Sequence, residues 1–451
     1  MLNRAYFCAI LLLATPLWSQ VANPGSAPTT TTPTTEDRMI TSPVVSGEAY
    51  SVALGSEERS NYLRGGVAFT SAYSDNTIGA TTGSPVSDVS YSIWPTIALD
   101  KTTPRLHSIL AYSPGFTFYQ RSSALNQADQ NASIDFHYRL SPHVTFSARD
   151  SFQKSSNVFN QPSAAVVSGG VQEANSSVIA PIADRLSNSG NVGIAYQFAR
   201  NGMVGAGGTF TNLHYPNPSQ VPGLFDSSTQ GGSGFYSYRV SRMHYIGAAY
   251  QYQRLMSYLT QGQNETQTHA VLFFYTLYPS PRFSISMFGG PQYADIGPLF
   301  AIGMPIPQPG SRSWTPAAGA SMNWQGQLTT LAASYSHAIS GGGGLLGAVQ
   351  MDNAGVSIGR QIARALSASL SGQYAQNRVL GSLPGATTAS SDGHSVSGTA
   401  SLHRQFGEHL SVQLGYTRLH QTYNVPIIAG APTTNREFVS FSYTFARPLG
   451  R

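Results

Sequence analysis

Charged residues are scarce in this chain. They make up 10% of its 451 residues, whereas about 25% is usual in soluble proteins. The basic residues are scattered singly and include only two lysines, Lys101 and Lys154, so the sequence has no basic stripe of the kind that binds nucleic acid. No apolar run of about 20 residues occurs after residue 20, which excludes transmembrane helices there. The composition therefore disfavours both a soluble globule and a helical membrane protein.

Cysteine is almost missing as well. The single one, Cys8, lies in an apolar N-terminal segment, so disulfide bonds and thiolate metal sites are excluded from the remainder. The chain has no HExxH motif, and its glycine runs at 205–208 and 341–344 are not followed by the Lys-Ser/Thr of a phosphate-binding loop. We expect the 341–344 run to be part of an outer loop. We expect no cofactor, no metal and no enzymatic activity.

Residues 1–20 predict a cleaved secretory signal peptide. Arg4 supplies the positive charge, an apolar stretch follows, and Ser19 offers a small residue for cleavage. An uncleaved membrane anchor is the alternative. Residues 21–60 are rich in Pro and Thr, so we expect a disordered periplasmic segment that cannot bury enough apolar surface to fold. A plug inside a barrel is the alternative for this segment.

From residue 61 to 447 the dominant pattern is alternation of apolar and polar residues. In "HVTFSARDSF", Val144, Phe146 and Ala148 alternate with polar residues, and "HLSVQLGY" and "REFVSFSYTF" repeat the pattern. Because successive side chains of a strand point to opposite faces, each segment has one apolar and one polar face. The polar faces carry small neutral residues, and Tyr and Phe gather near segment ends. Both features are typical of transmembrane β-barrels with aromatic girdles.

The connections between these segments alternate between short and long. Eight short ones carry turn-forming Pro, Gly, Asn or Ser, near residues 102, 141, 201, 241, 280, 326, 362 and 407. Longer polar stretches lie between them, at about 156–186, 215–230, 294–311, 341–349, 378–391 and 423–435. Eight tight turns plus an opening and a closing strand predict an all-β, antiparallel up-and-down barrel of 18 strands, with 16 as the alternative. The tight turns are predicted to face the periplasm.

The strands and turns of this chain resemble those of bacterial outer-membrane porins, and most of all those of the large barrels associated with exopolysaccharide systems, which repeat phrases like "YRLSPHVTFSARDSF". The resemblance covers about residues 61–447 and is one of pattern, without a diagnostic motif. It implies an outer-membrane location, contact with lipid and lipopolysaccharide, and insertion by the outer-membrane assembly machinery. Such barrels typically close on a terminal Phe. Here the last apolar strand reaches Phe445 and "ARPLGR" follows, which we expect to be a short periplasmic extension.

A closed barrel of this size is too wide for side chains to fill, so we expect an aqueous pore. Its polar lining with a slight excess of Arg favours small hydrophilic solutes, either anions or neutral sugars. The predicted pore-lining residues are Ser133, Asp135, His137, Arg139, Thr145, Ser147, Arg149, Gln197, Arg239, Gln251, Ser369, Gln373, Ser401 and Gln413. The longest connection, 156–186, is the third outer one. By analogy with general porins it is predicted to fold inward and to place Glu173, Asp184 and Arg185 at a constriction.

Passive diffusion of solutes is the leading hypothesis, with two alternatives. The barrel could instead be a conduit for polysaccharide export, or a structural or adhesive surface barrel. Asp135 and His137 share a face with Arg139, and Asp and His are residue types that outer-membrane hydrolases use. The motifs of those families are absent, so we interpret these residues as wall residues near the periplasmic rim. The sequence leaves homo-oligomerisation undecided.

Overall fold

The computed structural model describes residues 61–77, 85–155, 184–218, 224–259, 262–298, 309–341, 345, 347–380, 392–423 and 433–449. The predicted signal peptide and the Pro/Thr-rich segment lie outside these residues. Eighteen β-strands account for most of the described chain: β1 (Asn61–Ser74), β2 (Asp88–Thr102), β3 (Leu106–Tyr119), β4 (Gln127–Arg139), β5 (Val144–Ser155), β6 (Arg185–Gln197), β7 (Gly202–His214), β8 (Asp226–Arg239), β9 (His244–Leu259), β10 (Gly262–Ser280), β11 (Phe283–Ile296), β12 (Ser311–Gln325), β13 (Thr329–Ser340), β14 (Val349–Ala363), β15 (Leu366–Val379), β16 (Gly393–Phe406), β17 (Leu410–Tyr423) and β18 (Thr433–Pro448). One 3₁₀ turn, Ser123–Leu125, precedes β4. Within this part of the chain, no helix is long and apolar enough to cross a membrane.

The strands form one closed antiparallel barrel. Each strand pairs with its neighbours in sequence, and β18 closes the ring on β1 through pairs such as Phe69 with Phe441. The predicted all-β barrel of 18 strands is therefore confirmed. Closure leaves no strand edge with unpaired N–H and C=O groups, which lipid could not satisfy.

The tight turns lie at one end of the barrel. Each even-numbered strand is joined to the next odd-numbered strand by two to four residues, at the eight positions that the turn-forming residues predict. At the other end the connections are longer, with one difference from the predicted pattern. Only residues 260–261 separate β9 from β10, because the ladder between these two strands continues to the pair Leu259–Gly262. We call the tight-turn end periplasmic and the opposite end outer, following the usual orientation of such barrels.

The residues at the C-terminal end of β18 differ from the periplasmic extension that was expected there. The residues after Phe445 do not form an extension, since β18 continues to Pro448. Arg447 pairs with Leu63 and Pro448 with Tyr62. The first residues of β1 need a partner on this side, and the terminal residues of β18 supply it.

The outward face carries the large apolar side chains. Two belts of exposed aromatic residues flank it, as a membrane-spanning wall requires. The periplasmic belt includes Tyr196, Tyr238, Trp324 and Phe406, and the outer belt includes Tyr91, Phe118, Tyr258 and Trp314. Between the belts lie exposed aliphatic residues such as Ile97, Leu110, Ile134 and Leu370.

Several inward-facing aromatic rings lie flat against the wall over a glycine of the next strand. A β-carbon on Gly115 would be 2.4 Å from the Trp94 ring, and one on Gly247 would be 2.2 Å from the Phe274 ring. Only glycine leaves room for these rings. The rings therefore cover the wall without projecting into the lumen.

Candidate functional site: the barrel lumen

The strand register places all fourteen predicted pore-lining residues on the inward face. On β4, Ile134 is exposed on the outside, so its neighbours in sequence point inward. Across to β5, Ser133 pairs with Ser151 and Asp135 with Arg149. The fourteen do not form one cluster. Seven lie together on β4 and β5, and the others are spread over β6, β8, β9 and β15 to β17.

A row of charged side chains crosses the inner wall of five adjacent strands near the periplasmic end. We call it the charged strip; it comprises Arg64, Asp100, His107, Asp135, His137 and Arg149. Its first half is centred on a carboxylate of β2. Arg64 Nη2 lies 3.3 Å from Asp100 Oδ2, and His107 Nε2 lies 3.9 Å from Asp100 Oδ1. His107 and His137 stack with ring centroids 6.3 Å apart and join the two halves.

The second half of the charged strip is centred on Asp135. His137 Nε2 lies 2.9 Å from Asp135 Oδ1, and Arg149 donates to Asp135 Oδ2 through Nε at 3.1 Å and through Nη2. In this ion pair the carboxylate is more buried than the guanidinium group, since the Asp135 side chain is 18% exposed and the Arg149 side chain is 40% exposed. The strip therefore presents guanidinium and imidazole groups to the lumen. The guanidinium groups attract anions, and the N–H groups of both side-chain types can donate hydrogen bonds to them.

Sequence analysis missed half of this strip. Arg64, Asp100 and His107 lie on the polar faces of β1, β2 and β3, so their alternation with apolar residues was the available signal. Their proximity to Asp135 could not be predicted from the sequence, because it depends on the register of four strand pairs.

On β15 to β17 the inner wall carries hydroxyl groups that hydrogen-bond to one another. Ser369 Oγ and Ser401 Oγ are 2.7 Å apart, and Thr399 Oγ1 and Thr417 Oγ1 are 3.1 Å apart. Each pair links hydroxyl groups of two neighbouring strands, so these hydroxyl groups are hydrogen-bonded. Arg239 is held at the periplasmic end, where its Nη2 donates to Asn201 Oδ1 at 2.9 Å.

On β4 and β17, inward side chains are more deeply buried near the outer end of the lumen, which we call the mouth, than near the periplasmic turns. On β17, the inward Leu419 and Gln421 near the outer end are fully buried, whereas Gln413 near the periplasmic turn is partly exposed. On β4, Asp129 near the outer end is buried, whereas His137 near the periplasmic turn is exposed.

One outer connection is folded into this mouth. We call its described residues, Gly341, Leu345, Gly347 and Ala348, the mouth segment. Leu345 is 0% exposed and packs in a cluster with Leu213 of β7 and with Tyr215 and Leu224 of the β7–β8 connection.

Further contacts run from the same region to β8, β9 and β11. A β-carbon on Gly341 would lie 3.2 Å from Thr229 Oγ1 of β8. Ala348 and Ile339 pack with Leu255 of β9 and Ala294 of β11. β7 and β13 are six strand spacings apart, or about 29 Å along the wall, so these contacts are made across the lumen.

The ladder between β12 and β13 explains the inward path. Its pairs run from Gln325–Thr330 up to Ala318–His337 and stop there, so the last residues of β13 are released from β12. The backbone N–H of Ile339 donates to the inward side chain of Gln292 on β11, at 3.2 Å from Oε1. This contact draws the end of β13 towards the lumen.

The predicted constriction at 156–186 falls largely outside the described residues, and so does Glu173. Asp184 accepts a hydrogen bond from Asn217 Nδ2 at 3.3 Å. Arg185 begins β6, faces inward and is buried, close enough to Tyr215 to affect its ionisation. Burial raises the pKa of Tyr215 to about 12. Of the glycine run 341–344, which was expected to be part of an outer loop, only Gly341 lies within the described residues, and it belongs to the outer connection between β13 and β14.

Among the described residues, no group of three or more His, Cys, Asp or Glu side chains is arranged to hold a metal ion. The carboxylates of the charged strip are instead engaged by arginine and histidine. What the lumen offers chemically is hydrogen bonding along a polar wall, with the guanidinium groups of Arg64 and Arg149 more exposed than the carboxylates that pair with them.

Comparison with known proteins finds similarity in structure only. No family model matches the chain, and no curated protein matches it. Solved structures with similar architecture include Acinetobacter baumannii OccAB4 (TM-score 0.40, 10% identity, covering 86% of this chain and 99% of that one). They also include the siderophore receptor PirA from Pseudomonas aeruginosa (0.39, 11%, 86% and 81%) and a bacterial polysaccharide outer membrane secretin (0.33, 7%, 85% and 98%). The strand pairings of the chain itself show a closed 18-strand antiparallel β-barrel.

Proposed function

We propose that the chain is an outer-membrane channel through which small hydrophilic solutes diffuse passively. The observation that carries the proposal is the closed wall with an apolar outer face and a polar inner face that is exposed in its periplasmic half. A wall of 18 strands encloses more space than its own side chains fill. Water and small solutes are the natural occupants of that space.

The charged strip suggests which solutes pass. The guanidinium groups of Arg64 and Arg149 are more exposed than the carboxylates of Asp100 and Asp135 that pair with them. A solute in the lumen therefore meets the cationic partner of each pair first, which favours anions or neutral sugars over cations. We therefore propose a weak anion preference.

Single-channel recording in planar lipid bilayers tests the proposal. We expect stepwise conductance from the folded protein and uptake of small sugars by liposomes that contain it. The reversal potential in a salt gradient should have the sign of anion preference. Absence of both conductance and uptake, even after the mouth segment is loosened by substitution, would remove the channel function.

A further inference from the structure

One arginine is buried on the inner face of β18, in the outer half of the barrel. Phe441 and Phe445 are exposed on the outside of this strand, so its even-numbered residues point into the lumen. Arg436 is one of these, and it is only 7% exposed. It lies far along β18 from Ala446, the residue that pairs with Arg64 of the charged strip. Arg436 is therefore separate from the groups to which the anion preference was assigned.

Arg436 has no acidic partner among the described residues, where its side chain takes part in no salt bridge. The carboxylates around it are engaged or point away. Asp88, two strands from Arg436, accepts hydrogen bonds from three backbone N–H groups. Asp75 accepts two hydrogen bonds from Asn435. Glu437 is exposed on the outward face.

A buried cation without a counter-charge is unfavourable, because the ion loses its hydration and gains no attraction in return. Natural proteins compensate such a charge with an acidic side chain or with a bound anion. The described part of this chain supplies no acidic side chain to Arg436, and the residue faces the lumen. The counter-charge is therefore to be sought in solution.

The position of the guanidinium group is fixed by an aromatic ring. Arg436 Cζ lies 5.9 Å from the centre of the Phe438 ring, within the range of a cation–π contact. The Phe438 ring is itself held against the wall over Gly415, where a β-carbon would be 2.2 Å from the ring. Contact with a ring does not use the N–H groups at the edges of a guanidinium. These donors remain available to an anion.

Hydroxyl groups flank the guanidinium on both sides. Ser74 of β1 and Thr417 of β17 pair with Arg436 in the two adjoining ladders, so all three side chains point into the lumen. Thr417 Oγ1 is placed by its contact with Thr399 Oγ1 at 3.1 Å. A hydroxyl can donate a hydrogen bond to an anion. The wall thus presents one cation between two further donors.

We propose that Arg436 is the centre of a binding site for a small oxyanion of the phosphate and sulfate class. The planar guanidinium can donate two parallel hydrogen bonds to two oxygens of such an anion, a geometry that a chloride ion does not offer. The site faces the lumen, so a free anion reaches it and a lipid headgroup does not. Binding requires only that the folded barrel admits water, and not that solutes cross it.

The test compares variants of the full chain in micelles of an uncharged detergent, with inorganic phosphate as the probe. In R436Q the charge is removed, and in R436K it is kept without the planar group. R418Q is the matched control, because Arg418 pairs with Asn435 beside Arg436 but is exposed on the outward face. Broadening of the phosphorus-31 resonance of phosphate measures binding, at an ionic strength held constant with chloride. The readout does not depend on whether the barrel conducts.

We expect R436Q to bind phosphate at least about tenfold more weakly than the parent, since the hydrogen bonds to a charged donor are lost. R436K should bind with intermediate affinity, and R418Q should bind as the parent does. Unchanged binding in R436Q, an equal loss in R418Q, or no binding of phosphate by the parent would overturn the proposal.

Urea unfolding supplies a second readout. Replacing chloride with phosphate should raise the urea midpoint of the parent and of R418Q but not that of R436Q, because a ligand stabilises only the protein that binds it. In chloride alone R436Q should be at least as stable as the parent, since removal of an unpaired charge also removes its desolvation cost. A clear loss of stability of R436Q in chloride would show that the protein itself balances the charge, and the proposal would fail.

Discussion

Gly341, in the connection after β13, lies against Thr229 of β8: a β-carbon on Gly341 would be 3.2 Å from Thr229 Oγ1. Gly341 directly follows β13, which is five positions from β8 in the barrel, so its approach to Thr229 is made across the lumen. The contact also explains why glycine suits this position. A larger side chain would push against the inner surface of β8.

The first prediction concerns the mouth segment. Leu345→Asp places a carboxylate in a fully buried apolar cluster, at a cost of about 3 kcal/mol or more for an unpaired charge. Because the cluster packs across the lumen and β7 and β14 are not hydrogen-bonded neighbours, we expect it to separate while the barrel stays folded. Single-channel conductance should then rise. Leu140→Asp, at a tight-turn leucine that is 54% exposed, is the matched control and should leave conductance unchanged.

The second prediction concerns ion preference. In the double variant Arg64→Gln/Arg149→Gln two exposed cations are removed from the charged strip and both carboxylates remain. The lumen becomes more negative, so the ratio of chloride to potassium permeability should fall, as measured by the reversal potential in a salt gradient. Lys154→Gln removes a cation from the outward face of β5 and should not shift the reversal potential. An equal shift in both variants would contradict the role of the strip.

The third prediction concerns the rings that lie over glycines. Gly247→Ala would place a β-carbon 2.2 Å from both the Phe274 ring and the carbonyl oxygen of Tyr236. The backbone oxygen cannot move aside, so we expect a loss of about 1–3 kcal/mol in the free energy of unfolding, as is typical of overpacking. Guanidinium titration of the barrel in micelles measures it. Gly398→Ala, whose nearest atom would be 3.8 Å away, should be close to neutral.

The fourth prediction tests which face meets lipid. Trp314 is 71% exposed and Trp324 is 42% exposed on the outward face, whereas Trp94 is 1% exposed on the inward face. In variants that retain one of the three, with Phe at the other two, bromine on lipid acyl chains should quench Trp314 and Trp324. Trp94 should be protected. Quenching of Trp94 to the same extent as Trp314 would show that the two faces had been assigned wrongly.

The sequence by itself determined the barrel, its strand count and the two faces of its wall. Alternation of apolar and polar residues fixes which side chains of one strand share a face, and turn-forming residues fix where strands end. Both signals are local, so eight turns and the inward positions of residues such as Ser369 and Ser401 could be predicted without coordinates.

Only the tertiary structure decided what lies inside the barrel. The approach of Arg64 and His107 to the carboxylates of the strip depends on the register of successive strand pairs, which alternation does not specify uniquely. The inward path of the mouth segment depends on contacts between Leu345 and Leu213, 132 positions apart in the chain. Such contacts form only once the wall has closed, because closure is what brings distant strands to face each other across one lumen.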